Sequence, residues 1–521
     1  MKLIKAMVTV GAITLLSRVA GFIRDLLSAR ILGAGPVADA FFIALKLPNF
    51  FRRITAEGAF SVSFVPLYAH AQATEGEDAA NRFARGTMSV MISILLPFTI
   101  ICMLAMPAVM WAIAPGFEGV RLELATTFSR ITFPYLLMMS VTALIGGVLN
   151  AHDRFAPFAA APIFFNMTMV VCLLATDMFF PNAGYALAWG VTLAGVIQLV
   201  WIWICARKMG IILVPARPAI TPEIKKLFWL MLPGMLGAGV VQINLFADVM
   251  IASFLPTGAV SHLYYADRLN QLPLGTVGIA IGTALLPMLA KAVAKDDHHE
   301  TQALFNRALE AGLMLALPAA IALSVASWPI ITALFRQGAF TIQDAQATAH
   351  VLMFYAIGLP AYVAGKIFAT ASFARQDTKT PVVIAGACAV MNVVFALIFT
   401  FGFDFGAPGI ACGTAIAGWL QLALMARFLH HKNNIHFDNR FKYVFPRIIA
   451  ASALMGLVVA ALSSVLHDYF GVDGIMRPVA LLALVGSGGL IYLAVIFGSK
   501  AMTVQDLKNY FLKKAQTTNV P

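Results

Sequence analysis

The sequence predicts an all-α polytopic membrane protein with about fourteen transmembrane helices. Hydrophobic residues make up 60% of the 521 residues, whereas charged residues make up only 12%. Because a soluble domain carries about 25% charged residues, most of this surface has to face lipid. Long runs such as 91–106 and 479–497 contain no charge, and their length is typical of membrane-spanning helices rather than of the alternating strands of a barrel.

Clusters of charge and Gly/Pro residues divide the chain into the predicted spans. These are residues 6–31, 36–69, 86–113, 122–148, 155–178, 184–205, 227–255, 259–290, 308–335, 345–374, 381–402, 408–429, 447–466 and 478–498. The N-terminus imitates a signal peptide, since Lys2 and Lys5 precede an apolar run. Residues 17–21 offer no convincing cleavage site, so we interpret this run as a retained first span.

The basic residues predict the orientation of the chain in the membrane. Of the 36 Lys and Arg residues, 24 fall on the side of the two termini, three fall on the opposite side and nine lie within spans. By the positive-inside rule both termini are expected in the cytoplasm. The asymmetry also accounts for the net charge of +12, so no nucleic-acid partner is expected.

A weak internal repeat indicates two lobes. At an offset of 223 residues, Asp25 aligns with Asp248 and Gly35 with Gly258. The predicted organisation is an N-lobe of six spans (1–206), a cytoplasmic linker (207–226), a C-lobe of six spans (227–430), two further spans (431–499) and a cytoplasmic tail (500–521). Two such lobes enter the membrane in the same sense, related by a pseudo-two-fold axis along its normal, and can rock around a central cavity. The alternative is chance similarity between two apolar stretches.

Charged residues inside the spans indicate the functional site, because each is costly in lipid unless it faces a partner or water. Spans 1 and 2 hold six of the nine embedded basic residues: Arg18, Arg24, Arg30, Lys46, Arg52 and Arg53. At 100° per residue, Arg18 shares a helical face with Asp25, whereas Arg24 is displaced by about 100°. A cavity rich in arginine suits an anion, above all a phosphate.

The alternative interpretation is that these arginines form structural ion pairs or extend to the cytoplasmic interface. Their acidic neighbours are Asp25 on span 1 and Asp39 and Glu57 on span 2. The ideal wheel of span 2 places Arg53 on the face of Asp39 and Glu57, but it does not decide whether Arg52 or Arg53 reaches the cavity. Pro48 can kink span 2, however, and a kink would bring Arg52 to the cavity instead.

The second lobe has fewer embedded charges, namely Asp248, Asp267, Arg268 and Lys366, with Gln271 beside them. Asp248 follows Asn244 by one helical turn, so the two oxygens are a weak candidate site for Na⁺. Asp248 equally suits a proton carrier or a partner for Arg268. The five cysteines lie in apolar runs without close pairs, and they indicate neither disulfides nor a metal site.

Several runs of residues in both halves of the chain resemble the sequence motifs of a known family. The runs 17–25, 33–35, 38–42, 46–53 and 56–60, together with 264–269 and 375–381, resemble the MurJ (MviN) family of bacterial lipid II flippases within the MOP exporter superfamily. This resemblance implies a MOP/MATE-like fold in the bacterial inner membrane. It also implies a transporter, not an enzyme, that moves lipid II, the undecaprenyl-pyrophosphate-linked disaccharide peptide, to the outer leaflet by alternating access.

The resemblance also implies roles for residues. Arg18, Arg24, Arg52 and Arg268 match the expected contacts to pyrophosphate or headgroup, with Asp39 and Lys46 nearby and Lys366 in the second lobe. Asp25, Arg53, Glu57, Asp267 and Gln271 are expected as gating or ion-pair residues; many members have Glu where this chain has Gln271. Spans 13 and 14 are expected to form a groove for the polyprenyl tail.

The expected partners are lipid II, membrane lipids and other cell-wall synthesis proteins. No cofactor is expected, and the residues are compatible with coupling to Na⁺, to H⁺ or to no ion. Three other functions stay open: a lipid-linked oligosaccharide flippase, a MATE-type drug exporter and a membrane glycosyltransferase. A drug exporter for cations would favour acidic residues in its cavity, and a glycosyltransferase would need a carboxylate site near the outer face.

Overall fold

The computed structural model describes residues 2–53, 59–431 and 435–502. In these ranges the regular secondary structure is helical, with a π-helical segment (Ile398–Gly402) after α16. The helices are α1 (Lys2–Leu32), α2 (Pro36–Arg52), α3 (Ala59–Glu75), α4 (Glu77–Leu104), α5 (Met106–Ile113), α6 (Gly119–Thr132), α7 (Tyr135–Ala151), α8 (Ala156–Leu174), α9 (Thr176–Phe179), α10 (Ala183–Arg207), α11 (Pro222–Ser253), α12 (Ala259–Ala294), α13 (His298–Val325), α14 (Ser327–Phe335), α15 (Ile342–Ala374), α16 (Lys379–Leu397), α17 (Ala407–His431), α18 (Asn439–Val465), α19 (His467–Gly471) and α20 (Met476–Gly498).

The predicted spans fall on these helices. Within the described residues, ten helices are long and apolar enough to cross a membrane, which confirms the prediction of an all-helical membrane protein. The predicted segments 6–31, 227–255 and 259–290 lie on α1, α11 and α12, and segment 36–69 is covered by α2 and α3 where it is described. The exact number of crossings stays a prediction.

The outward surface of the helices is apolar, as a membrane protein requires. Leu104, Val171 and Leu490 expose 75%, 59% and 71% of their surface. Exposed apolar side chains in such number are unfavourable in water and favourable in lipid hydrocarbon.

The chain divides into two compact units, of which unit 1 comprises Met1–Ser261 and Gln337–Thr341. In unit 1, α1 packs on α8, α2 packs on α6, and α10 packs on α7 and α8. Its core contains Phe64, Tyr68, Leu144 and Ile202. Helix α11 also packs on α3 in this unit. The boundaries of the two predicted lobes stay a prediction.

The segment that joins α10 to α11 (residues 208–221, the linker segment) is held against unit 1. Ile211 and Leu213 lie in the core of the unit. Arg85 on α4 donates to the carbonyl oxygen of Ile212, from Nε at 3.1 Å and from Nη2 at 2.8 Å. The Oγ of Ser89, also on α4, accepts from the backbone N–H of Ala216 at 2.7 Å. The linker segment therefore has a fixed course along α4.

Unit 2 comprises His262–Arg336 and Ile342–Pro521. Its central helix is α15, which packs on α13, α14 and α17, while α18 packs on α13 and α20. Arg307 on α13 is paired with Glu310 and with Asp438. Asp438 also accepts from the N–H of Phe441 at 2.7 Å, at the start of α18. This ion-pair network fixes the beginning of α18 against α13.

Within unit 1, residues 337–341 contact the turn between α1 and α2. The N–H of Ala339 donates to the carbonyl oxygen of Arg30 at 2.8 Å. Gly338 has a φ of +60°, and a Cβ atom placed on it would lie 2.3 Å from the same oxygen. Both its backbone conformation and this close approach require glycine.

We expect Gly338→Ala to destabilise the protein. The left-handed backbone conformation costs about 1–2 kcal/mol for a residue with a Cβ atom, and relief of the contact with Arg30 adds to that cost. Thermal unfolding of the purified protein in detergent measures the effect. Gly386→Ala in α16 is the control, since a Cβ atom added there would have no neighbouring atom within 4 Å. Equal melting temperatures for the two variants would contradict the requirement for glycine at residue 338.

Candidate functional site

Arg24 lies in a buried polar cluster between α1 and α8 of unit 1. Its Nε and Nη2 donate to Oδ1 of Asp25 at 3.1 and 2.6 Å, and its Nη1 donates to Oδ1 of Asn166 at 3.0 Å. The Nδ2 of Asn166 in turn donates to the carbonyl oxygen of Ser17 at 3.1 Å. The charge of Arg24 is thus neutralised by its own neighbour in the chain, as the ion-pair interpretation predicts.

Close packing of α1 and α8 makes this cluster possible. Gly21 lies one turn before Asp25, and a Cβ atom on it would lie 3.4 Å from Nδ2 of Asn166. The ring of Phe165 lies beside the guanidinium, with 5.8 Å between Cζ of Arg24 and the ring centroid. In a low-dielectric environment such a pair is costly to break, because the remaining charge is left without compensation.

Asp39 is completely buried at the start of α2. Its Oδ1 accepts from the N–H of Ser261 at 2.9 Å and from the hydroxyl of Ser261 at 2.6 Å, and its Oδ2 accepts from the N–H of Gly258 at 2.7 Å. These donors belong to the first turn of α12. A carboxylate here satisfies backbone donors that the helix cannot satisfy itself, and it interacts favourably with the helix dipole.

The other site candidates of unit 1 lie along α1 and α2. Arg18 is half-buried on α1, Lys46 and Arg52 are half-buried on α2, and Arg53 is exposed. Helix α2 continues through Pro48 to Arg52. The helical wheel leaves the choice between the two adjacent arginines open, and in the structure Arg52 is the more buried of the two. Glu57 lies outside the described residues.

In unit 2, Arg268 is half-buried on α12. Its Nη2 donates to the hydroxyl of Tyr264 at 3.0 Å, and its Cζ lies 4.9 Å from the centroid of the same ring. One turn on, Nε2 of Gln271 donates to Oδ2 of Asp267 at 2.6 Å. A neutral amide at this position thus hydrogen-bonds to the aspartate. Lys366 is exposed on α15.

Asn244 and Asp248 lie one turn apart on α11 in unit 1, and both are half-buried. Among the described residues no group of three His, Cys, Asp or Glu side chains could hold a metal ion. A site for Na⁺ at this pair stays a prediction.

The predicted site lacks several partners of the candidate residues, among them Asn166, Gly258, Ser261 and Tyr264. The internal repeat could have indicated Gly258, because Gly258 aligns with Gly35, the residue that precedes α2. This alignment indicates that a helix starts after Gly258. Nothing in the sequence pairs that helix start with Asp39. Arg130 on α6, a further basic residue within a predicted span, donates from Nε to the carbonyl oxygen of Met103 at 3.0 Å.

Comparison with known proteins agrees with this architecture. A family model described as "Lipid II flippase MurJ" matches residues 28–480. The "Probable lipid II flippase MurJ" of Rhizobium meliloti (strain 1021) is 40% identical over 537 residues, covering 100% of this chain and 98% of that protein. The chain belongs to the MurJ family.

Solved structures show the same fold. A structure named "Lipid II flippase MurJ, inward closed conformation" has a TM-score of 0.78 at 24% identity and covers 98% of this chain and 100% of its own. An inward-facing multidrug resistance MATE family transporter of the MOP superfamily has a TM-score of 0.69 at 15% identity, covering 82% of this chain and 97% of its own. This MurJ family member therefore has the MOP-type fold.

We expect Asp25→Asn to destabilise this MurJ family member strongly, because Arg24 then stays buried without the carboxylate that neutralises it. The expected loss is about 3–5 kcal/mol in the free energy of unfolding. The double variant Arg24→Met/Asp25→Leu replaces the pair by apolar side chains, so it should recover a large part of that loss. Thermal unfolding in detergent compares the two, and a double variant less stable than Asp25→Asn would refute the ion-pair explanation.

We expect Asp39→Asn to lower the stability by about 1–3 kcal/mol, since the amide group cannot accept from both Gly258 and Ser261. Ser261→Ala removes only the hydroxyl and keeps the backbone donor, so its loss should be smaller, about 1 kcal/mol. Thermal unfolding measures both variants. The reverse order of stability would mean that Asp39 does not act through the first turn of α12.

Proposed function

We propose that this protein is a flippase that moves lipid II from the inner to the outer leaflet of the bacterial cytoplasmic membrane. The observation that carries the proposal is the full-length similarity, at 40% identity, to a relative named as a probable lipid II flippase. The MATE-like structures share the fold at much lower identity. The substrate is thus proposed from the relatives and the fold is supported by both comparisons.

The embedded arginines provide the chemistry that such a substrate needs. A pyrophosphate offers several anionic oxygens, and the planar guanidinium donates to them through two parallel hydrogen bonds. Within unit 1, Arg18 and Arg52 are half-buried and keep part of their surface accessible, whereas Arg24 is buried. We therefore assign the contact with phosphate to Arg18 and Arg52 and, in unit 2, to Arg268. Lys46 and Lys366 supply further positive charge.

The proposed topology has fourteen spans, namely two six-span repeats followed by spans 13 and 14, with both termini in the cytoplasm. Alternating access then opens the site to one leaflet at a time, and the substrate shifts the populations of the two states. The inside-negative membrane potential favours export of negative charge, by about 2.3 kcal/mol per elementary charge per 100 mV. Coupling to Na⁺ or H⁺ and contacts with other cell-wall synthesis proteins are part of the same proposal.

Depletion of the protein in its own cells tests this function. We expect the amount of lipid II in the outer leaflet to fall on depletion and to recover with the wild-type protein. Arg18→Ala and Arg268→Ala should restore little exposure, because the loss of one charge-assisted hydrogen bond of about 1.5–3 kcal/mol weakens binding roughly tenfold or more. The measurement is the accessibility of lipid II on intact cells at matched membrane levels of each variant.

Arg427→Ala is the matched control, since Arg427 is exposed at the end of α17 and outside the proposed site. Full complementation by this control separates the site from the general effect of lost positive charge. Unchanged outer-leaflet lipid II after depletion, in cells without a second flippase, would refute the function. Complementation by Arg18→Ala and Arg268→Ala at wild-type efficiency would refute the assigned residues.

A further inference from the structure

An apolar groove runs along α13, α15 and α17 in unit 2, apart from the candidate arginines. It encloses a cavity of about 500 Å³, within the usual range of about 300–1,000 Å³ for small-molecule sites. Its lining residues are apolar except for Lys442. Trp419 also lines it, but the indole N–H already donates to the carbonyl oxygen of Ile357 at 3.0 Å, so the ring is the surface that a ligand meets.

The groove is elongated along the helix axes. On α13 it extends from Leu309 to Leu317, and on α15 it extends from Pro360 to Phe368. Both stretches correspond to about 12 Å at 1.5 Å per residue. This length covers most of one hydrocarbon leaflet of roughly 15 Å. A single extended hydrocarbon chain lying parallel to the membrane normal fits such a groove.

One end of the groove carries a lysine side chain, that of Lys442. Ala426 lines the groove near the end of α17, and Phe441, Lys442 and Phe445 line it at the start of α18. The rings of Phe441 and Phe445 stack with 5.3 Å between their centroids and form an apolar wall. Lys442 is exposed, so its ammonium group can contact a headgroup at the membrane surface.

We propose that this groove binds an acyl chain of an anionic glycerophospholipid, with the headgroup phosphate at Lys442. The inference rests on the orientation proposed above, which places the start of α18 at the cytoplasmic leaflet. The groove is lined by the start of α18, which continues into predicted span 13, but by no residue of α20 in the part of the chain that the structure describes. It is therefore not the groove expected between spans 13 and 14 for the polyprenyl tail. Charge complementarity between a basic end and an anionic headgroup specifies the class of lipid.

Native mass spectrometry of the purified, delipidated full chain tests the proposal with phosphatidylglycerol and phosphatidylethanolamine as probes. We expect phosphatidylglycerol to bind more tightly. Lys442→Gln should weaken its binding about fivefold, as expected for one basic residue near the membrane surface. It should weaken the binding of phosphatidylethanolamine less, because the ammonium group of that headgroup already offsets the charge of the phosphate. Ala426→Phe should weaken the binding of both lipids, because the added ring fills the groove.

Two neighbouring changes serve as controls. Leu424→Phe adds the same ring to an exposed position of α17 that does not line the groove, and Arg427→Gln removes a charge beside it. Both should bind the lipids like the wild type. If Ala426→Phe proves unstable without lipid, Ala426→Leu replaces it as the smaller filling variant.

Three results would overturn the proposal. Wild-type binding by both Ala426→Phe and Ala426→Leu would show that lipid does not enter the groove. Equal binding of phosphatidylglycerol to the Lys442→Gln and Arg427→Gln variants would refute the contact between Lys442 and the headgroup. Loss of undecaprenyl phosphate binding in the filled variants, with phosphatidylglycerol unchanged, would assign the groove to the substrate tail. Since the readout is phospholipid binding, its failure leaves the proposed transport function untouched.

Discussion

In lipid hydrocarbon a charged side chain has to find its counter-group on the protein, because the surroundings provide none. This constraint organises unit 1. Arg24 is paired with Asp25 and also donates to Asn166, which joins α1 to α8. Asp39 accepts hydrogen bonds from the first turn of α12. In both places the hydrogen bonds of a buried charge join segments that are far apart in the sequence.

The family resemblance gives Arg24 and Arg268 the same role, but their surroundings in the structure differ. The guanidinium of Arg24 already donates to a carboxylate and to an amide oxygen. Its first contribution is therefore to hold α1 against α8. Arg268 contacts a tyrosine ring and its hydroxyl, and these neutral groups orient the guanidinium. A loss of transport on substitution of Arg24 can therefore reflect a loss of stability rather than of substrate binding. The stability of variants at Arg24 and at Arg268 has to be measured together with their activity.

The sequence predicts the helices well, because hydropathy and length dominate the placement of a membrane span. It predicts the side-chain partners less well. The wheel places Arg18 on the face of Asp25 and displaces Arg24 by about 100°, yet Arg24 is the residue that binds Asp25. A wheel records the direction of the Cβ atom only, whereas the long side chain of arginine can fold back along the helix. The partners of Asp39, more than 200 residues away in the chain, depend on tertiary packing that no local pattern contains.

The fixed course of the linker segment has a practical consequence for experiments on this protein. A segment between two long helices is an obvious place to insert a fluorescent domain or a protease site, but here Ile211 and Leu213 belong to the core of unit 1. An insertion there would disturb the packing of unit 1. The turn between α12 and α13 is better suited, since the side chains of Asp296 and His298 are 91% and 89% exposed. Exposed turns with few packing contacts tolerate insertion best.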